Sequence, residues 1–441
     1  VTYTLLQFFT DPVLRAPTIG SMLMCFAASL IGVIVVIRKR SLLGEALSHA
    51  SYPGVVLSAI FAASFFPNSD EGMAIAILIG AFCFALLGLY SLHALQEKCN
   101  VKADAALCLV LSVFLGVGIL IASRIQMTHA LWYRQIQLYL YGQAATMTDV
   151  HVWIYSGLSC LLLILLFLLY SPIEILNFDR IFARSIGIPI AFIDAVVYLL
   201  LALAIVVGIR SVGVVLMSGM LIAPAVAARQ FTHRLPFMLL LAGIFGALCG
   251  FLGNYLSVAL PEAVDSKLSL PTGPMVLLSA SSLCFLALLF APESGILFRY
   301  WRIRKFRDKC QLENVLKAFW KQGEESLFTL KAIAFSQGTS SIKMFRLLLR
   351  LRLQGWLKKV DRHQYQLSRD GQKRARQIVR LHRLWEAYLV YLGHRVDKVH
   401  RNAEEMEHIL TPELEKELTE LLEDPQSDPH AQPIPSKERL P

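Results

Sequence analysis

Nine runs of apolar residues, near 18–37, 46–66, 72–92, 105–123, 151–170, 188–208, 211–228, 236–259 and 274–291, occupy the first two thirds of the 441-residue chain. A segment needs about 20 such residues to cross the hydrocarbon core of a bilayer. No water is available there to satisfy backbone groups, so runs of this length are confined to helices. The expectation is a polytopic all-α body of eight or nine spans. Composition agrees, with 56% hydrophobic residues and mean hydropathy +0.55, well above that of an average globular chain.

Charge is unevenly placed. Lys+Arg and Asp+Glu number 14 and 13 over 1–298, 21 and 6 over 299–380, and 7 and 13 over 381–441. Basic residues follow the first, third, fifth, seventh and ninth runs, whereas Asp70, Glu71, Glu262 and Asp265 follow the second and eighth. The positive-inside bias then assigns the basic loops and the C-terminal tail to the cytoplasm. The eight cysteines are scattered singly, mostly in apolar runs, forming neither a disulfide framework nor a CxxC metal site. The N-terminal "VTYTLLQFFTDPVLRAP" has no basic n-region or small-residue cleavage site, so no removable targeting peptide is expected.

Polar groups at membrane depth are costly and usually face a cavity or a partner. In "LLGEALSHASYPG", Glu45 and His49 share one helix face at i and i+4. They read either as a structural hydrogen-bonded pair or as two ligands for a divalent cation, a carboxylate and an imidazole suiting Mn, Fe or Zn. Pro53 with Gly54, and Pro224, interrupt their spans and can free carbonyls toward a pathway.

Across residues 15–292 the ordered motifs "RAPTIG", "GEALSHASYPGVVL", "LYGQAATMTD", "FDRIFARSIGIP", "GVVLMSGMLIAPAVAA" and "LPTGPMVLL" resemble the permease subunit of ABC-type manganese, iron and zinc importers. The resemblance implies that Glu45 and His49 contribute to the metal pathway, although the family more often carries Asp at the first position. It also implies that Phe178, Asp179, Ala183, Gly187, Ile188 and Pro189 belong to an element that docks on an ATPase; the other reading is a plain connecting loop. No GxxxxGK[ST] run occurs, so the chain is expected to bind no nucleotide and to be no enzyme itself. A separate cytoplasmic ATPase, a second permease copy (itself or a relative) and an extracytoplasmic metal-binding protein are the implied partners, in a bacterial inner membrane.

Beyond "FRYWRIRKFRDK" the periodicity turns soluble. "SLFTLKAIAF", the turn "QGTSS", a second helix and a strand-turn-strand around "WLKKVDRHQYQL" give the order of a winged helix-turn-helix. On the second helix Ile342, Phe345, Leu349 and Leu353 read as an apolar stripe. That leaves Ser340, Ser341, Lys343, Arg346 and Arg350 outward, as major-groove entry and phosphate contact require. The positive surplus suits nucleic acid or an anionic lipid surface, and the helix-turn-helix pattern favours DNA.

In "HRNAEEMEH" His400, Glu404, Glu407 and His408 stand at offsets 0, 4, 7 and 8, which is one helix face, either solvated or ligating. "RLHRLWEAYLVYLG", "KVHRNAEEMEH" and "DPHAQPIP" resemble metal-dependent repressors of the DtxR/MntR type over 312–436. That resemblance implies one metal centre at His382, Glu386 and His400, another at Glu404, Glu407 and His408, and a dimer. The family's extra ligand near the start of its first helix falls at Asn314, a weak donor, and iron-type members carry Cys where Glu404 stands. Nitrogen and oxygen donors leave Mn²⁺ or Fe²⁺ as leading ions, with Zn²⁺ possible. No C-terminal SH3-like domain is expected.

The expected organisation is therefore a permease (1–292), a basic juxtamembrane linker (293–311), a winged helix (312–375), metal-binding and dimerisation helices (376–436) and a tail (437–441). The implied whole is an importer permease fused to a metal-sensing repressor, with release of the repressor by proteolysis between Pro292 and Leu312. The rival is a tail that gates transport in response to metal without touching DNA.

Overall fold

The computed structural model describes residues 5–65, 70–128, 130–264, 270–323, 327–361, 364–406, 408 and 411–436. These divide into two compact units, Val1–Arg299 and Tyr300–Pro441.

The first unit is all helix: α1 (Gln7–Thr10), α2 (Pro12–Ile37), α3 (Ser41–Phe65), α4 (Asp70–Glu97), α5 (Ala103–Thr128), α6 (Ala130–Tyr141), α7 (Asp149–Leu168), α8 (Tyr170–Phe178), α9 (Arg180–Ser185), α10 (Ile190–Val212), α11 (Met217–Phe231), α12 (Leu235–Val264) and α13 (Thr272–Phe290). Among the described residues seven helices, α2, α4, α5, α7, α10, α12 and α13, are long and apolar enough to cross a membrane. Two of the nine apolar runs read from the sequence, 46–66 and 211–228, have no counterpart among these seven. The run at 46–66 does form α3, but its serines, Glu45 and His49 dilute its apolarity. The run at 211–228 is cut at Gly213 (φ +96°), leaving the 15-residue α11, about 22 Å of helix against the 30 Å of a hydrocarbon core.

Helix α2 begins on Asp11, whose carboxylate caps Val13 N–H at 2.8 Å, with Pro12 at the first helical position. It packs against α7, α10, α11 and α12, while α3 packs against α4 and α5. Small residues let these backbones approach closely. A methyl group at Gly32 of α2 would overlap the Leu221 carbonyl of α11. Gly32→Val is accordingly expected to abolish the folded, monodisperse protein in detergent size-exclusion chromatography, whereas Gly116→Ala, with open space around it, leaves that peak unchanged.

The break between α10 and α11 is enclosed by protein. Val214 is fully buried, its N–H donates to Tyr139 O at 3.0 Å, and its carbonyl accepts from the Ser48 hydroxyl of α3. Non-helical backbone at membrane depth is tolerated on that condition.

The second unit comprises α14 (Ile296–Lys321), β1 (Phe328–Thr329), α15 (Leu330–Ser336), α16 (Ser341–Leu353), β2 (Leu357–Asp361), β3 (Gln364–Leu367), α17 (Arg369–Tyr391), α18 (Val396–Met406) and α19 (Pro412–Leu421). Residues 296–311, expected as a linker, form the first half of α14. Its second half inserts Leu312, Val315, Leu316 and Phe319 into a core with Ile333, Met344, Leu347, Leu348, Leu351, Leu357 and Leu367. The strands make an antiparallel sheet of order β1-β3-β2, with Leu357 opposite Leu367. Thr329 and Ser340 cap α15 and α16, and Gly338 (φ +57°) makes the turn between them. This is a winged helix-turn-helix.

The α16 stripe departs from the sequence reading. Its buried face is Met344, Leu347, Leu348 and Leu351, whereas Ile342, Phe345, Leu349 and Leu353 are exposed. The helix carries two apolar ladders at helical spacing, and only contact with α14 and the sheet selects between them. Ser340, Ser341, Lys343, Arg346 and Arg350 are exposed as expected.

Candidate metal centres

In the first unit, Glu45 and His49 stand one turn apart on α3, beside the α10–α11 break that Ser48 touches. His49 is 7% exposed, and its Nδ1 has no hydrogen-bond partner among the described residues. A buried imidazole nitrogen left unpaired is costly and calls for an explanation. A cation passing this point would supply one. The donor suits a first-row divalent ion, since neutral imidazole is a common ligand of Mn, Fe and Zn.

The element carrying Phe178, Asp179, Ala183, Gly187, Ile188 and Pro189 is a short capped helix. Asp179 accepts from Ile181 N–H and Phe182 N–H at 2.8 and 3.1 Å, Ile188 N–H closes onto Ala183 O at 3.1 Å, and Gly187 turns the chain at φ +81°. Ala183 is buried, while Phe178 and Ile181 are 94% and 84% exposed. Asp194 of α10 anchors the element, pairing with Arg180 and, at 2.7 Å, with Arg38. Sequence reasoning missed Ile181, Arg180 and Asp194 here.

In the second unit α17 sets His382 and Glu386 on one face, and α18 brings His400 against them. His382 Nε2 lies 3.1 Å from His400 Nδ1 and 3.2 Å from Glu386 Oε1, and His400 Nδ1 lies 2.6 Å from that same oxygen. His382 and Glu386 are buried. Three donors sharing one ion at about 2.1 Å with right-angle geometry stand about 3 Å apart, so these separations fit a first-row divalent ion held by two nitrogens and one oxygen. Burial alone would raise the Glu386 carboxyl. Hydrogen bonds and charge from His382 and His400 outweigh it and hold the group at about 2, so it is an anion ready to ligate across the whole physiological range.

The second expected cluster is arranged differently. Helix α18 is described to Met406, and His408 stands in a turn beyond it. Glu404, half exposed, lies 3.6 Å from His400 Nε2. His408 instead meets Glu313 of α14, with Nδ1 2.7 Å from Oε2. Glu407 lies outside the described residues. Glu313 is buried and also accepts from Arg374 Nη2 at 2.6 Å. Burial pushes its carboxyl up, but the His408 and Arg374 bonds carry it below the usual range. Sequence reasoning looked to Asn314, which is exposed, and missed Glu313 next to it. The available signal was a carboxylate and a lysine, Glu313 and Lys317, at i and i+4 among the apolar positions of α14.

A family model described as "ABC 3 transport family" matches residues 10–291, and one described as "Iron dependent repressor, metal binding and dimerisation domain" matches residues 368–436. A protein of Chlamydia trachomatis named "Probable metal transport system membrane protein" is 36% identical over 443 residues, covering 98% of each chain. The manganese transport system membrane protein MntC of Bacillus subtilis is 31% identical over 375 residues, covering 84% of this chain and 83% of that one. Among solved structures, PsaBC from Streptococcus pneumoniae in complex with Fab aligns with 68% of this chain and 98% of its own at TM-score 0.57 and 26% identity.

Proposed function

The chain belongs to the ABC 3 transport family, as a multi-pass metal-transport permease fused to an iron-dependent repressor domain, and from that premise we propose how the two parts work. The permease imports a divalent transition metal, Mn²⁺ or Fe²⁺ with Zn²⁺ as the alternative, driven by ATP hydrolysis in a partner chain. Two permease copies enclose the path, an extracytoplasmic protein delivers the ion, and it passes Glu45 and His49 beside the α10–α11 break. The element from Phe178 to Pro189 takes the push of the ATPase, its exposed Phe178 and Ile181 being the apolar contacts a docking partner would cover.

The tail is a cytoplasmic sensor of the same ion. His382, Glu386 and His400 would hold it, and its positive charge would neutralise the Glu386 carboxylate between α17 and α18. Glu313 and His408, with Glu404 and Glu407 nearby in sequence, are the second candidate set. Paired tails then present two α16 helices to successive major grooves, with Ser340, Ser341, Lys343, Arg346 and Arg350 against phosphates and bases. Metal raises DNA affinity because the DNA-competent arrangement binds it more tightly.

The observation that carries this reading is the convergence of His382, Glu386 and His400 on one point. Its test is fluorescence anisotropy of a labelled duplex from the chain's own promoter region, titrated with the full-length chain in nanodiscs. Manganese-dependent, sequence-selective binding is expected. Metal binding with no effect on the duplex would replace the repressor by a gate that senses metal and shuts transport.

A repressor tied to a membrane reaches little DNA, which favours release of the tail. Helix α14 is continuous from Ile296 to Lys321, and proteases prefer exposed non-helical backbone, which narrows the expected cut to the exposed turn at residues 292–294. Blots against the C-terminus are expected to show a fragment of about 16–17 kDa, scaled from 49.3 kDa for 441 residues. Full-length chain alone would refute release.

A further inference from the structure

We propose that Lys317 is a resident cation of the tail's metal centre: its ammonium holds His382 in the form that does not ligate, and an incoming metal ion has to displace it. The inference rests on the reading of His382, Glu386 and His400 as ligands, and deepens it.

The side chain of Lys317 comes from α14 and is 7% exposed. Its Nζ lies 3.0 Å from His382 Nδ1 and 4.0 Å from Glu404 Oε1. An ammonium has hydrogens to give and no lone pair, so in this contact Nδ1 accepts. The ring hydrogen of a neutral His382 then sits on Nε2, the atom that faces His400 Nδ1 and Glu386 Oε1, and it is donated to them. That nitrogen's lone pair is the one the centre needs. Imidazoles that ligate metals ordinarily show the reverse arrangement, with the outer nitrogen donating its hydrogen to a carboxylate or carbonyl. Were His382 to ligate through Nε2 with Lys317 in place, two donors would face each other at Nδ1. The ammonium would also stand in the same buried region as a doubly charged ion, where like charges are screened weakly.

The same ammonium has a stabilising part beside the carboxylates. Glu386 is buried and ionised and Glu404 lies within reach, so Lys317 supplies positive charge that the metal would otherwise bring. It thereby moves the tail's response to a higher metal concentration. A sensor joined to its own importer would need such a threshold, because a centre that saturated at trace metal would stop uptake before the cell was supplied.

The test is an equilibrium Mn²⁺ titration of the full-length chain in detergent, by competition with a fluorescent chelator, for wild type, Lys317→Gln, Lys317→Met, Lys317→Arg and His382→Ala. Lys317→Gln is expected to bind ten- to a hundredfold more tightly, because its amide oxygen accepts from Nδ1–H and the charge is gone. Lys317→Met, of similar length, is expected to gain less, and Lys317→Arg, which keeps both charge and donor, to stay near wild type. A lysine that merely packed would give weaker binding in all three. Unchanged or weaker binding in whichever of the Gln and Met variants folds, with binding still lost in His382→Ala, overturns the role of Lys317 and leaves the centre standing. Undiminished tail binding in His382→Ala overturns the centre itself and this inference with it.

Discussion

Replacing His382 by alanine is expected to weaken tail binding of Mn²⁺ more than about a hundredfold, since even the outer-shell partners of metal ligands are worth about 10–100-fold. His382 is buried between Lys317 on one side and Glu386 and His400 on the other, so its loss removes one donor of three and unsettles the other two. Metal-dependent DNA affinity is expected to fall with it, by linkage, whereas metal uptake by the membrane unit is not. Glu386→Gln serves as the companion variant. It keeps the shape, removes the anion that His382 and His400 hold at about 2, and is expected to lower the affinity at neutral pH nearly as far. Retention of wild-type metal binding by both variants would remove the ligand assignment.

His49→Ala is expected to reduce uptake of radioactive manganese in cells to the level of an empty vector while leaving the amount of folded protein unchanged. The two explanations of a buried histidine separate here. If His49 only packed α3, deleting an imidazole whose Nδ1 has no partner among the described residues would be neutral or stabilising in that respect, and uptake would persist. A ligand on the path is indispensable however little it contributes to stability. Glu45, partly exposed at the preceding turn, is expected to behave likewise as Glu45→Gln. Uptake at wild-type rates in either variant would move the path elsewhere.

Features fixed by local chemistry were legible in the sequence. Apolar runs mark membrane helices because lipid leaves the backbone no other choice. His382 and Glu386 were legible through the resemblance of "RLHRLWEAYLVYLG" to metal-dependent repressors, and their i, i+4 spacing on α17 agrees with it. The wing was legible from its strands and turn. What could not be read was choice among equivalents and pairing at a distance. Helix α16 has two apolar ladders, and the one nearer the sheet became core. Glu313 meets His408 across 95 residues of chain, a contact that no spacing rule reaches. The seventh run looked like one span because its apolar residues are continuous, yet the turn at Gly213, enclosed by the Tyr139 and Ser48 contacts to Val214, cuts off its start and leaves the 15-residue α11. The basic stretch after the last span reads as a linker by charge, but its residues are good helix formers and the helix simply continues into Leu312 and Val315.

The short helix α9 and Phe178, the last residue of α8, have a consequence for manufacture. Phe178 and Ile181 are almost wholly uncovered by the chain itself, with Phe182 beside them. If the proposed ATPase covers that patch, copies synthesised in excess of it would adhere to one another, and the recoverable quantity of this polypeptide would track the supply of that companion more closely than the strength of its own promoter.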